Sequence, residues 1–136
     1  MMTFPQTTHD MADFVTGRLT CCDGWGRRRL LEWIQWFVNN DRYFAVAKGD
    51  NLVGVTFVRL VDNEKDCHEH YRDTGGSVCY VEAAVCTHPD AMRSLYRLLW
   101  NSIGKEADKM AWVRHKYGGR ATMVDMEKAK RRFTRR

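Results

Sequence analysis

Side chains able to do chemistry gather in three places. The first is residues 78–103, VCYVEAAVCTHPDAMRSLYRLLWNSI. An almost charge-free run, Val78–Cys86, is rich in β-branched and aromatic residues and holds a single acid, Glu82. A polar break, Thr87-His88-Pro89-Asp90, follows. Then comes a helical pattern, with Met92, Leu95, Tyr96, Leu99 and Ile103 at spacings of three and four. Strand, tight break and helix is a common way to aim backbone N–H groups and a helix N-terminus at an anion. His88, at the break, reads most simply as a loop histidine satisfied by a hydrogen bond.

The second place is Cys67-His68-Glu69-His70, which has metal-ligand residue types. Structural zinc usually draws its ligands from two separated pairs, and no second pair follows at the usual distance, so no metal is expected. The third is a basic run, Lys128, Lys130, Arg131, Arg132, Arg135 and Arg136. Such a tail, from about residue 127, could meet an anionic partner. Its simpler reading is a solvated face. Aromatic interleaving is slight beyond Phe133 and no nucleic-acid motif accompanies it, so nucleic acid is not the expected partner.

These groups need a scaffold. The chain of 136 residues is one domain's worth, with 44% hydrophobic and 12% aromatic residues, enough for a packed core. The formal charge of +5, from 22 basic and 17 acidic residues, is moderate. No apolar run approaches the ~20 residues that span a bilayer. The start, MMTFPQTTHD, has neither a basic n-region nor an apolar h-region, so no signal peptide is expected. The five cysteines, Cys21, Cys22, Cys67, Cys79 and Cys86, form no C-x-x-C pair. A reduced, cytoplasmic protein is the simplest expectation.

In chain order, Thr7 or Thr8 is placed to cap a first helix reaching about residue 19, weakened by Gly17. A second helix spans about 26–39, with Leu30, Leu31, Ile34, Phe37 and Val38 on one side, broadened by Trp33 and Trp36. A strand, Tyr43–Lys48, turns through Gly49-Asp50-Asn51 into a second arm over 52–61, the clearest β signal in the chain. Gly54 in that arm predicts a bulge or a close backbone contact. Residues 62–76 have no periodicity and read as a mobile surface loop bordering a site. After the central strand and helix, Gly104 to Asp108 closes the helix, and a strand is expected over 111–116. The chain turns at 117–120. Ala121–Asp125 then reads as a strand returning, with a short basic helix after it, although 121–133 could also be one helix. Leu31, Ile34, Phe37, Val55, Phe57, Val81, Val85, Leu95, Leu99 and Trp112 form the predicted core. The result is an α/β (α+β mixed) chain, one domain over 1–136. Its sheet is mixed and mostly antiparallel, with helices on both faces, Val78–Cys86 central and the 111–116 strand parallel beside it.

This order of elements resembles the GNAT (acyl-coenzyme A N-acyltransferase) superfamily. There, two helices precede an antiparallel hairpin, and a central strand leads into the helix that binds coenzyme A. The most specific match is YVEAAVCTHPDAMRSLYRLLW, residues 80–100, with a Glu inside a hydrophobic strand and a His-Pro-Asp break before the helix. The hairpin YFAVAKGDNLVGVTFVRLV is similar to the family's paired strands, with a glycine in the second. The resemblance covers roughly residues 8–116. The family's pyrophosphate loop reads Arg/Gln-x-x-Gly-x-Gly/Ala, whereas Asp90-Ala91-Met92-Arg93-Ser94-Leu95-Tyr96 has no glycine.

The resemblance implies acyl transfer from acetyl-coenzyme A, or another acyl-coenzyme A, to an amine or protein acceptor. Glu82 would be the general base and Tyr96 the general acid. Competing readings are a Glu82 facing solvent or paired with a basic neighbour, and a Tyr96 packed into the core. Backbone around Val85, Cys86 and Thr87 would supply N–H donors to the thioester carbonyl. Arg93 and Ser94 are the obvious partners for the pyrophosphate. The glycine-free loop supports an alternative, a non-catalytic GNAT-fold module that binds a protein, for example in a phage virion or in host interaction.

Overall fold

The computed structural model describes residues 4–19, 24–103, 106–113 and 121–134. The first helix, α1 (Gln6–Val15), buries Met11, Phe14 and Val15. It stops short of residue 19 because Gly17 adopts a left-handed φ of 78°, a common helix terminator. Thr8 does not cap it: this threonine is buried, and its hydroxyl donates to Gln35 Oε1 at 2.6 Å. Helix α2 (Arg27–Asn39) buries Leu30, Leu31, Trp33, Ile34 and Phe37.

The hairpin is β1 (Tyr43–Lys48) and β2 (Asn51–Val61). A one-turn helix, α3 (Glu64–Cys67), precedes β3 (Val78–Cys86), and α4 (Pro89–Ile103) follows it. Strand β4 (Lys109–Val113) starts earlier than expected. The rest of the expected 111–116 strand and the turn at 117–120 lie outside the described residues. So do Cys21, Cys22, Gly104, Lys105, Arg135 and Arg136. Residues 121–133 are not one helix, because β5 (Ala121–Asp125) pairs antiparallel with β4 before α5 (Met126–Thr134) begins.

The sheet has five strands in the order β1-β2-β3-β4-β5, antiparallel except between β3 and β4. Helices α1 and α2 pack on one face against Val55, Phe57, Ala83 and Val85. Helices α4 and α5 pack on the other, where Leu99, Ile103, Met126 and Ala129 meet Val58, Leu60, Cys79 and Val81. All of the predicted core is buried except Trp112, which is half-buried. Gly54 provides the expected close contact: a Cβ there would sit 3.0 Å from Leu95 Cδ1, so its bare backbone lets α4 lie against the sheet.

One irregularity sets the geometry of everything downstream. Along β2, Phe57 pairs with Ala83 and the next residue, Val58, pairs with Val81, so Glu82 is an extra residue on β3. This is a β-bulge, and it reverses which parity of β3 faces which helix layer. Cys79 and Val81 face α4 below it, whereas Ala83 and Val85 face α1 and α2 above it.

Residues 62–76 are pinned rather than loose. The Asn63 side chain caps α3 by accepting from the Asp66 N–H. Asp66 is buried and accepts from the Asp62 N–H at 3.1 Å and from Arg72 Nε at 2.7 Å. Arg42 pairs with Asp73 at 2.7 Å, and the Thr74 N–H donates to the Leu60 carbonyl at 2.8 Å.

Candidate functional site

The β3–β4 ladder is short. It covers Val78–Lys109, Cys79–Met110 and Tyr80–Ala111, and beyond these pairs the two strands part. The opening is a cleft of about 250 Å³ lined by Val81, Glu82, Ala83, Ala84, Tyr96, Trp112 and Val113. Ala83 belongs to the α1/α2 face and Tyr96 comes from α4, so the cleft reaches both sides of the sheet. Trp112 pairs with Thr122 of β5 but lies past the end of the β3–β4 ladder, and it is half-buried in the cleft lining.

Glu82 and Tyr96, distant in sequence, are brought together here. The bulge projects Glu82, and its carboxylate meets Arg59 of β2, whose side chain is only 1% exposed. Arg59 Nε and Nη2 approach the same oxygen, Oε2, at 2.9 and 2.8 Å. The Arg59 Nε hydrogen bond goes to Oε2 and not to Oε1. The remaining Arg59 N–H groups donate to the carbonyls of Asp66 and Arg72, each at 3.0 Å, and Cys67, at 2.8 Å. Its guanidinium also lies 4.8 Å from the Tyr80 ring centroid. A buried charge is tolerated when paired and fully hydrogen-bonded, and this one is. Of the sequence alternatives for Glu82, the geometry is the carboxylate paired with a basic neighbour. Arg59 was missed, although its signal was present: one cation inside an apolar strand, beside a strand with one anion.

The N–H donors expected around Val85, Cys86 and Thr87 need correction. The Thr87 N–H donates to the Val53 carbonyl at 2.9 Å, so it points to β2. Successive N–H groups of a strand alternate in direction, so Val85 also points to β2, while Ala84 and Cys86 point away from it, and Ala84 lines the cleft. Val85 itself is buried against α1 and α2. Cys86 is half-buried beside Met92, and burial pushes its thiol pKa up. Arg93 forms an ion pair with Asp90 one turn back on α4. Arg93 and Ser94 do not line the cleft; they sit at the start of α4.

Among the described residues no group of three or more His, Cys, Asp or Glu could hold a metal ion. Cys67 is buried, and burial pushes its thiol up to about 11. A larger groove, about 540 Å³, lies between α1 and the β1–β2 turn, with Asp10, Asp13 and Asp50 in its lining. It holds none of the candidate catalytic or cofactor-binding residues. No described helix is long and apolar enough to cross a membrane.

No protein-family model and no curated protein matches the chain. Solved structures do match. The loading GNATL domain of CurA from Lyngbya majuscula is 15% identical, with a TM-score of 0.55 over 82% of this chain and 62% of that one. The GphF GNAT-like decarboxylase, solved in complex with isobutyryl-CoA, is 11% identical, with a TM-score of 0.56 over 82% and 63%. The chain therefore spans a little under two thirds of each of these neighbours. At such low identity the likeness establishes the GNAT fold.

Proposed function

We propose that the protein is a GNAT-type N-acyltransferase that moves an acyl group, such as acetyl, from an acyl-coenzyme A to an amine. The observation that carries this reading is the placement of Glu82 in a gap that opens to both faces of the sheet, with Oε1 outside Arg59's grip. Two reactants can then approach from opposite sides. The Ala84 and Cys86 N–H groups would polarise the thioester carbonyl. Glu82 Oε1 would take a proton from the substrate ammonium, and the freed amine would attack the thioester carbonyl. As the C–S bond breaks, Tyr96 would protonate the leaving thiolate and be reprotonated by the second proton lost from the nitrogen. That the GphF neighbour was solved with isobutyryl-CoA supports an acyl-coenzyme A as the ligand.

The thioester end fits better than the pyrophosphate end. A helix N-terminus carries about half a positive charge, but Asp90 occupies that field and also engages Arg93. This pair, in a glycine-free first turn of α4, favours a second reading: a non-catalytic GNAT-fold module that binds a protein, for example within a phage particle. Isothermal titration with acetyl-coenzyme A separates the two. Under the first reading Glu82→Gln retains binding and lowers acyl transfer about a hundredfold or more. No heat and no competition at millimolar ligand would leave only the second.

A further inference from the structure

Tyr71 is among the most exposed large hydrophobic side chains described, at 48%. Its backbone is also costly, with a φ of 58°, in the left-handed region that a bulky residue rarely enters. Its position is nevertheless fixed. Arg59 holds the carbonyl of the next residue, Arg72, with the same guanidinium that holds Glu82. The ring of Tyr71 lies 5.7 Å from that of Trp36 on α2, tilted by 58°, so the two rings form an open corner rather than a closed stack. Helix α2 covers the sheet face opposite α4. The corner therefore lies on the side of the sheet from which a second reactant would approach.

We infer that Tyr71 and Trp36, which lie outside the cleft lining but are tied to Glu82 through Arg59, form an acceptor subsite beside this cleft, and that the acceptor is a primary amine with an aromatic or apolar body. The inference rests on the acyltransferase reading for its chemistry. Ring faces take up an apolar body and attract an ammonium group. Charge around the corner agrees. Burial raises the pKa of the Tyr71 hydroxyl, Arg29 opposes this, and Glu32 and Glu82 add to it, so two carboxylates stand within electrostatic reach of the ring. A strained residue whose neighbour is held by the same guanidinium as the proposed base is understandable if its ring is used.

Tyr71→Gly tests this cleanly, because glycine adopts the same φ without strain. Phenethylamine and ethylamine are titrated into the full chain in the presence of acetyl-coenzyme A, and acyl products are followed by mass spectrometry. Phenethylamine should bind more tightly than ethylamine. Tyr71→Gly should weaken phenethylamine at least tenfold while melting no lower than the wild type, and Tyr71→Phe should restore binding. Equal binding of phenethylamine by wild type and Tyr71→Gly, no binding by the wild type, or a lower melting temperature in Tyr71→Gly would overturn the subsite. Amine binding of the expected pattern without acyl product would sink the transferase reading and leave the amine site standing. Transfer that ignores the Tyr71 substitution would do the reverse.

Discussion

Replacing Arg59 by methionine removes one guanidinium and disturbs three things together. It leaves the Glu82 carboxylate, 14% exposed, without its partner. It orphans the carbonyls of Asp66, Cys67 and Arg72. It also removes the cation over Tyr80. Breaking a buried pair by deleting one member costs about 3–5 kcal/mol, because the surviving charge stays desolvated. Loop carbonyls can partly regain water, so we take about 4 kcal/mol for the whole. Against a total stability of about 5–15 kcal/mol this is a large fraction. With a urea slope of about 2 kcal/mol/M, the unfolding midpoint followed by circular dichroism should fall by about 2 M. Glu82→Gln in the same background removes the stranded charge. The double variant should therefore lose less than the sum of the singles, by about 1 kcal/mol or more. A loss below about 1 kcal/mol for Arg59→Met, or additive singles, would refute the idea that this pair is buried and coupled.

Two further outcomes follow from contacts already described. A Cβ at Gly76 would sit 2.4 Å from the Val61 carbonyl oxygen, whereas at Gly54 it meets the movable tip of Leu95 at 3.0 Å, so Gly76→Ala should destabilise more than Gly54→Ala in urea. Equal costs would mean that the 62–76 segment yields freely. Acid should also destabilise the protein. For Asp73 burial pushes the pKa up, but Arg42 and the N–H groups of Leu60 and Gly75 outweigh it and hold it low. For Asp66 burial is likewise outweighed, by the Asp62 N–H and Arg72. A carboxyl depressed on folding contributes stability that is complete above its ordinary value of about 4 and is lost as pH falls through the folded value. Urea midpoints measured from pH 7 to pH 2 should drop below about pH 4, and less steeply in Asp73→Asn; a flat profile would contradict both assignments.

Most of the scaffold was legible because its signals are local. Two near-continuous apolar runs with Gly49-Asp50-Asn51 between them give the β1–β2 hairpin, and spacings of three and four give α2 and α4. The resemblance carried by residues 80–100 also gave the fold. What escaped notice depends on register and long-range pairing. The bulge at Glu82 appears only when β3 is laid against β2, and the same register turns the N–H groups of Ala84 and Cys86, rather than those of Val85 and Thr87, away from β2. Trp112 looked like core because the sequence does not say where the β3–β4 ladder ends. Residues 62–76 looked loose for a similar reason: the side chain that fixes them, Arg59, lies outside them.

That last arrangement has a consequence for how the segment can change. Arg59 grips main-chain oxygens, which every amino acid carries. Its hold is blind to the identity of the residues it holds. The path past His70 and Tyr71 is thus encoded on a neighbouring strand, and the segment acts as a bracket whose mounted side chain can be exchanged. Substitution at position 71, within what its left-handed φ admits, would change the side chain set beside Trp36 without requiring the chain to find a new route there.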